Sequence, residues 1–450
     1  MRIPQRRGRA AALVAVTTVI ALGLAGCGSS SNSSSTSAAA SGESGAAASG
    51  DPVELRFAWW GSDSRHKTTQ KVIDAYEAEH PNVTINGEFS EFSGYWDKLA
   101  TATAAKDSPD IIQMDEKFLR DYAGRGALMD LTTQSDVLST AEFDENALKS
   151  GEFDGGLYGL STGVNAYSIL ANPEMFAAAG VEMPDDSTWT WKEYEDICKK
   201  ITEGSPEGVY GCQSYGNEEA GLSVWARQNG QSLYTDEGEM GFTPETLTAW
   251  WTDIKARTDA GMTPPAAFTS EEATSAVDQS GLATHKVAMG LWWTNQVPSL
   301  EAASGKPLVL LRQPSLTGKS ADNGMYYKSS MFWSASSQSE HPKEAAEFIS
   351  FLANSPEAGV LIGVDRGVQS NTVVRAEVVP TLTPTNAAAV EFVEAIGKDI
   401  TSTPAAPPIG GGAVQPILMR YTSEVLFDRL SPEEAATAFM DEVKGTINQG

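Results

Sequence analysis

Short apolar stretches alternate with helically spaced ones over the first part of the folded chain. VELRFAW (53–59) reads as a strand. Val72, Ile73 and Tyr76 share one face of a helix over about 64–80 that stops at Pro81; NVTINGEF is a second strand, 94–106 a second helix and DIIQM (110–114) a third strand. Such alternation with short links predicts a parallel sheet covered by helices on both faces. Ligands of such sheets bind beyond the carboxyl ends of the strands. Trp60-Gly61-Ser62-Asp63 and Asp115-Glu116 stand at those ends, so two distant stretches converge on one crevice.

The middle of the chain repeats this logic with different content. DGGLYGL (154–160) reads as a hairpin, VNAYSILA (164–171) as a strand, and Asn172-Pro173 opens a helix ended by Gly180. Helices follow at 191–203, 219–228 and 244–260, and HKVAMGL (285–291) is a strand running into Trp292-Trp293-Thr294-Asn295. From His341 the pattern is mainly helical: 342–354, 356–362, about 385–398, and from Gly412 onward with a break at Ser431-Pro432. Roughly 400 ordered residues exceed what one core usually supports and predict two domains.

The N-terminus changes the picture of where the chain works. Residues 1–9 carry Arg2, Arg6, Arg7 and Arg9 with no acid, and 10–24 are almost wholly apolar, the layout of a secretory signal. The apolar run falls short of the about 20 residues that a spanning helix needs. Leu24-Ala25-Gly26-Cys27 resembles the lipobox of bacterial lipoproteins. That resemblance implies a signal peptide of residues 1–26 and acyl chains, palmitate among them, on Cys27, anchoring the mature chain to the extracytoplasmic face of the cell membrane. Residues 28–50, rich in Gly, Ser and Ala, are expected to form a flexible tether.

Charge and cysteine usage then exclude several classes. Loss of the four N-terminal arginines takes the net charge from −27 to −31, which repels nucleic acid and anionic lipid, so membrane contact is expected through the anchor alone. After Cys27 only Cys198 and Cys212 remain; they are either a disulfide tying the 191–203 helix to the strand after it or two buried thiols. No HExxH, P-loop or metal-ligand cluster is present and the four His are scattered, so neither metal nor cofactor is expected. Gly159-Leu160-Ser161-Thr162-Gly163 spells the nucleophile-elbow string, but an elbow needs strand, turn, then helix, and here a hairpin precedes and a strand follows. A glycosidase needs two carboxylates at a set separation, a condition that 59 acidic residues meet too easily to discriminate. No catalytic residue is therefore assigned. A surface adhesin would be expected to cluster its tryptophans on one exposed face.

Five stretches together carry a resemblance. They are the strand ending WWG with SRHKTTQKVIDAYEAEHPNV behind it, GYWDKLATATAAKDSPDIIQMD, GLYGLSTGVNAYSILANPEMF, KVAMGLWW, and SEHPKEAAEFISFLANSPEAGVLIGVDRGVQSN. In this order they are similar to the extracytoplasmic solute-binding proteins of ATP-driven (ABC) sugar importers, the group that includes the maltose-binding protein. The resemblance implies an α/β fold of two lobes, each a mainly parallel sheet with helices on both faces, joined by about three crossover segments near 162–166, 318–328 and 367–371. Lobe 1 would comprise 51–163 plus about 325–369, and lobe 2 about 164–324 plus about 370–450. An oligosaccharide would bind between them with hinge closure, and the protein, a monomer, would deliver it to the permease subunits of an importer. One departure is Gln369, where the family's late loop often reads RGVP.

Sugar chemistry then selects candidates. A pyranose offers C–H faces and a hydroxyl rim, so its site needs flat apolar surfaces with directional polar groups. For stacking the candidates are Trp60, Trp292, Trp293 and Trp225, then Tyr327 and Trp333; for hydrogen bonds, Asp63, Asp115, Asn165, Asn295 and Arg366. Trp59 shares a strand face with Val53, Leu55 and Phe57 and belongs to a core, as do Trp250 and Trp251. One of Trp292 and Trp293 is expected to face inward, without the sequence saying which. Asp63 and Asp115 serve equally well as helix caps, Trp225 as core, Arg366 as an interlobe ion pair and Asn165 as a backbone bridge. Arg65-His66-Lys67 is either a cationic cluster suited to a uronic acid or a solvated, ion-paired group.

Overall fold

The computed structural model describes residues 51–447 other than Ser62 and Asp144. The expected signal peptide, Cys27 and the tether lie outside the described residues. The strands are β1 (Val53–Trp60), β2 (Val83–Ser90), β3 (Ile111–Met114), β4 (Glu152–Phe153), β5 (Gly156–Leu157), β6 (Leu160–Ser161), β7 (Gly163–Ala171), β8 (Tyr210–Cys212), β9 (Val287–Trp293), β10 (Val309–Leu311), β11 (Tyr327–Ser329), β12 (Phe332–Ala335) and β13 (Val368–Gln369).

The first sheet runs β2-β1-β3-β12-β6. Alternation along β1 sends Leu55, Phe57 and Trp59 into a core shared with Val72, Ile73 and Tyr76 of the helix Asp63–Glu79 and with Phe348 of the helix Pro342–Asn354. The other face carries Ala58 and Trp60 onto Tyr95 and Leu99 of the helix Phe92–Ala104. Both faces are thus covered, as the near-continuous apolar strand requires. β1 pairs in parallel with β2 and β3, while β12 is antiparallel to β3 and β6.

The second sheet is built around β7, all of whose residues are buried. Its order is β10-β7-β9-β8, with β11 and β13 also paired to β7. Only β8 with β9 is parallel; β9, β10, β11 and β13 all run antiparallel to β7. The expectation of a mainly parallel second sheet is therefore corrected. β7 follows β6 directly, and both the strands next to the passages (β11, β13) and those farther along the chain (β9, β10) lie beside it in the opposite sense. Trp250, Trp251, Tyr194 and Phe439 fill the core of this lobe, and a disulfide from Cys198 to Cys212 (Cα separation 5.3 Å) ties the helix Trp191–Gly204 to β8.

Three chain passages join the sheets. β6 and β7 are separated by Thr162 alone, and a Cβ on Gly163 would stand 2.7 Å from the Arg366 carbonyl oxygen, so glycine lets the last passage lie against the first. The second runs from β11, which pairs with β7 in the second sheet, to β12, which pairs with β3 and β6 in the first. After the third, the helix Thr372–Val378 turns back onto lobe 1: Asn371 Oδ1 accepts from the N–H groups of Val373 and Val374, and Thr372 N–H donates to the Glu142 carbonyl at 2.9 Å. The Asn371 cap thus starts a helix that is tied to Glu142 at its first residue.

Candidate functional site

Lobe 1 meets lobe 2 where the helix Glu116–Gly124 faces the helix Glu219–Gln228 and the segment 403–415. Asp115 caps the first of these, its Oδ1 accepting from Lys117 N–H at 3.0 Å. Two adjoining cavities lie at this interface, and a third, lined by lobe-2 residues alone, adjoins them. The middle one, about 70 Å³, is walled by Glu116, Lys117, Glu218, Glu219, Trp293 and Lys328. An outer one of about 230 Å³ shares Glu116 and Tyr326 with it and adds Arg120, Asp236 and Tyr327. An inner one of about 180 Å³ shares Glu218 and Trp293 and adds Trp292, Gln213, Ser214 and Glu272.

Charge is concentrated in the middle cavity. Lys117 Nζ lies 2.8 Å from Glu219 Oε1 and 2.8 Å from Gln415 Oε1. Lys328 Nζ, delivered by β11 from the waist, lies 3.8 Å from Glu116 Oε2 and 5.4 Å from the centre of the Trp293 ring. Burial pushes the Glu116 carboxyl up to about 7 against the opposing charge of Lys328. Burial likewise pushes Glu218 up to about 7, with Lys117 opposing. Glu219 Oε2, Tyr234 OH, Gln213 Oε1, Ser214 Oγ and Trp292 Nε1 are buried and have no hydrogen-bond partner among the described residues. All five line the middle or inner cavity, and buried polar groups of this kind are ordinarily paired.

The expected residues divide sharply. Trp292 and Trp293 both line the inner cavity and both are half-buried. Strand alternation sets Trp293 against Tyr167 (5.1 Å) and the main lobe-2 core, and Trp292 against a smaller cluster containing Leu170 and Val287, so neither is wholly inward. Tyr327 lines the outer cavity, its hydroxyl donating to the Val393 carbonyl at 2.5 Å. Asn165 is buried at the waist, where its Oδ1 accepts from Thr294 Oγ1 at 3.3 Å. Asp115 is spent on its cap, Asp63 is exposed at the start of its helix, and Asn295 sits in the turn Thr294–Gln296, beside the lining residues Trp293 and Gln296 without lining a cavity itself.

Four candidates are drawn elsewhere. Trp60 is buried among Tyr95, Trp96 and Phe92 with ring centres 5.3–5.5 Å apart, because its strand face is the one the helix Phe92–Ala104 covers. Trp225 is half-buried against the lobe-2 core and donates to the Thr246 carbonyl at 3.1 Å. Trp333 is core in lobe 1, with the Arg366 guanidinium 5.1 Å over its ring. Arg366 is itself buried within lobe 1, donating to Gln113 Oε1 at 2.9 Å and Thr69 Oγ1 at 2.8 Å, and desolvation, reinforced by Arg65, lowers it to about 9. It neither reaches the cavities nor pairs across the lobes. Arg65 is held by Asp365 at 2.7 Å and His66 stacks between Trp59 and Phe89, so the basic triplet does not form a cationic cluster in the cleft. Ser161 lies in β6 with β7 after it, the arrangement that rules out an elbow.

Glu116 was placed at the crevice by its strand end without being chosen as a ligand contact, and Lys117, Glu218, Glu219 and Lys328 are the residues that sequence reasoning passed over. A signal existed: Asp115-Glu116-Lys117 follows a wholly apolar strand, and Asn217-Glu218-Glu219 opens an otherwise largely apolar helix.

Two α/β lobes around a polar, tryptophan-walled cleft define a protein that holds a small solute between domains. The family model for bacterial extracellular solute-binding proteins matches residues 71–408, and the chain belongs to that family. An extracellular solute-binding protein of family 1 from Alicyclobacillus acidocaldarius is 28% identical, the match covering 88% of this chain and 99% of that one at a TM-score of 0.68. A periplasmic oligogalacturonide-binding protein from Yersinia enterocolitica, solved with saturated digalacturonic acid, shares the fold at 21% identity and a TM-score of 0.75, covering 87% of this chain and 98% of that one. An uncharacterised lipoprotein of Streptomyces antibioticus is 28% identical over 37% of this chain and 37% of its own length. The chain spans less than half the length of the curated relatives it matches, 37% and 47% for two of them.

Proposed function

We propose that this protein is a lipid-anchored carbohydrate-binding lipoprotein that captures an oligosaccharide in the cleft and hands it to an ABC importer. The observation that carries the reading is the cleft itself, where two half-buried indole rings stand beside five buried polar atoms without partners. Flat apolar walls with unspent donors and acceptors are what a pyranose requires. The saccharide ligands of fold neighbours support it: digalacturonic acid in the Yersinia protein, cycloalternan in one from Listeria monocytogenes, and acarbose in one from Streptomyces glaucescens.

Sugar touching both lobes favours the closed arrangement by its difference in affinity for the two states, and the permease recognises that arrangement. A neutral oligosaccharide is favoured over an acidic one. Arg65 is engaged by Asp365, and the two cleft lysines face Glu219 and Glu116. Cys27 carries the anchor, and Cys27→Ser is expected to release the protein into the medium. The deciding experiment is a thermal-shift and small-angle scattering screen of residues 51–450 against neutral, acidic and amino oligosaccharides. A ligand that raises the melting temperature and reduces the radius supports the reading; no response across the panel overturns it.

A further inference from the structure

The inner cavity differs from its neighbours in charge. Its ionisable lining consists of the carboxylic acids Glu218 and Glu272 and the tyrosines Tyr167 and Tyr215, with no lysine, arginine or histidine among the lining residues. The two cleft lysines stand in the middle cavity, Lys117 on Glu219 and Lys328 beside Glu116, and both also act on Glu218, which lines the middle and inner cavities alike. In the middle and inner cavities Glu116, Glu218, Glu219 and Glu272 stand with Lys117 and Lys328, and the further cations Arg120 and Lys149 belong to the outer cavity beside Asp236.

A second, independent feature lies in the same chamber. Ser214 is 7% exposed and its hydroxyl has no partner; the Gln213 side-chain oxygen and the Trp292 N–H are likewise unpaired and line the same cavity. Gln213 Oε1 and Trp292 Nε1 both converge on the bare face of Gly290, where a Cβ would stand 2.3 Å and 2.5 Å from them. The absence of a side chain at that one position makes room for both groups.

From this arrangement we propose that the inner cavity takes a saccharide unit bearing a protonated amine. The inference rests on the carbohydrate reading and names the substrate class within it. An ammonium carries three donors and no acceptor. The residues lining the chamber include acceptors for such a group: the Glu218 carboxylate, which also bonds Gln415, the Gln213 side-chain oxygen and the Ser214 hydroxyl. The unspent Trp292 N–H remains for a sugar hydroxyl, and the indole faces of Trp292 and Trp293 attract a cation electrostatically. Burial raises the Glu218 carboxyl in spite of Lys117 and Lys328, and raises Glu272 in spite of its hydrogen bonds with Gly281 N–H and the Gln213 side chain; a bound ammonium opposes that penalty. Glu272 has a structural duty as well, accepting from Gly281 N–H at 2.6 Å, so Glu218 is the sharper probe.

The test is calorimetry at pH 6.5 with glucosamine oligomers, their N-acetylated counterparts and galacturonate oligomers, alongside a small monoamine as a control for bare cation binding. Glucosamine oligomers are expected to bind at least roughly tenfold tighter than the N-acetylated ones, a charge-assisted hydrogen bond's worth of preference, and galacturonates weakest. Glu218→Gln is expected to abolish that preference while leaving the melting temperature of the unbound protein unchanged or raised. Ser214→Ala, which adds no charge change, is expected to weaken the amino sugar more than the acetylated one. Equal binding of amino and N-acetylated oligomers overturns the proposal and leaves the carbohydrate reading intact. Tight binding of the monoamine alone overturns it as a saccharide site, and no saccharide binding at all overturns both.

Discussion

Lys117 of lobe 1 reaches across the cleft to Glu219 of lobe 2, Nζ to Oε1 at 2.8 Å, with side chains only 21% and 12% exposed. Each residue stands in the first turn of its helix, so the pair joins the two elements that face each other over the cavities. Ion pairs this sheltered differ from surface pairs in one respect: removing a single partner leaves the other desolvated and uncompensated.

Lys117→Met is therefore expected to open the unliganded protein. Three glutamates would then share the single charge of Lys328, at a cost to the closed form of about 1–3 kcal/mol. Small-angle scattering should report a larger radius, and adding Glu219→Gln should recover part of the change. An unaltered radius in the single variant would show that the pair does not hold the lobes.

Closure is expected to depend on pH with a defined sign. Burial between the facing helices raises the Glu116 and Glu218 carboxyls to about 7 from an ordinary value of 4.5. Around them stand Asp115, Lys117, Glu219 and Lys328. The closed form therefore binds more protons between those limits, and opening releases them. Raising the pH from 4.5 to 7 weakens closure of the sugar-free protein, with little further change above 7. Fluorescence transfer between dyes on the two lobes would follow it; a flat profile would contradict the assignment.

Two tryptophans should respond in opposite ways. Trp60→Ala removes a ring buried among Tyr95 and Trp96 and is expected to cost about 3–5 kcal/mol of stability. Trp293→Ala, at the wall between two cavities, is expected to cost little stability and to weaken saccharide binding roughly tenfold or more. Chemical denaturation and calorimetry on both variants separate the roles.

The disulfide spans a sequence separation of 14 residues. By the loop-entropy estimate, replacing both cysteines with alanine should cost about 3 kcal/mol. The loss should appear as a lower melting temperature with binding preserved at 25 °C, since neither residue lines the cleft.

Much of the architecture was legible because it follows from local periodicity. The helices Pro342–Asn354 and Pro356–Ile362 fall where the apolar spacing and the prolines place them. Trp59, Trp250 and Trp251 are core, as their strand face and helical pattern require. The site was less legible. Trp60 ends its strand at the sheet's carboxyl edge, yet a helix covers its face, and no local pattern says which end residues a neighbouring helix will bury. Arg366 and Trp333 stack in lobe 1 although they lie 33 positions apart.

What the chain determined by itself was the set of elements, the two covered sheets, the apolar faces and the presence of indoles beside polar residues at strand ends. These depend on spacings of two to four residues, which any stretch carries within itself. What only the tertiary structure decided was which charges meet. Lys117 and Glu219, or Lys328 and Glu116, become neighbours through three passages between sheets, and electrostatic energy depends on separations and burial that no local interval encodes.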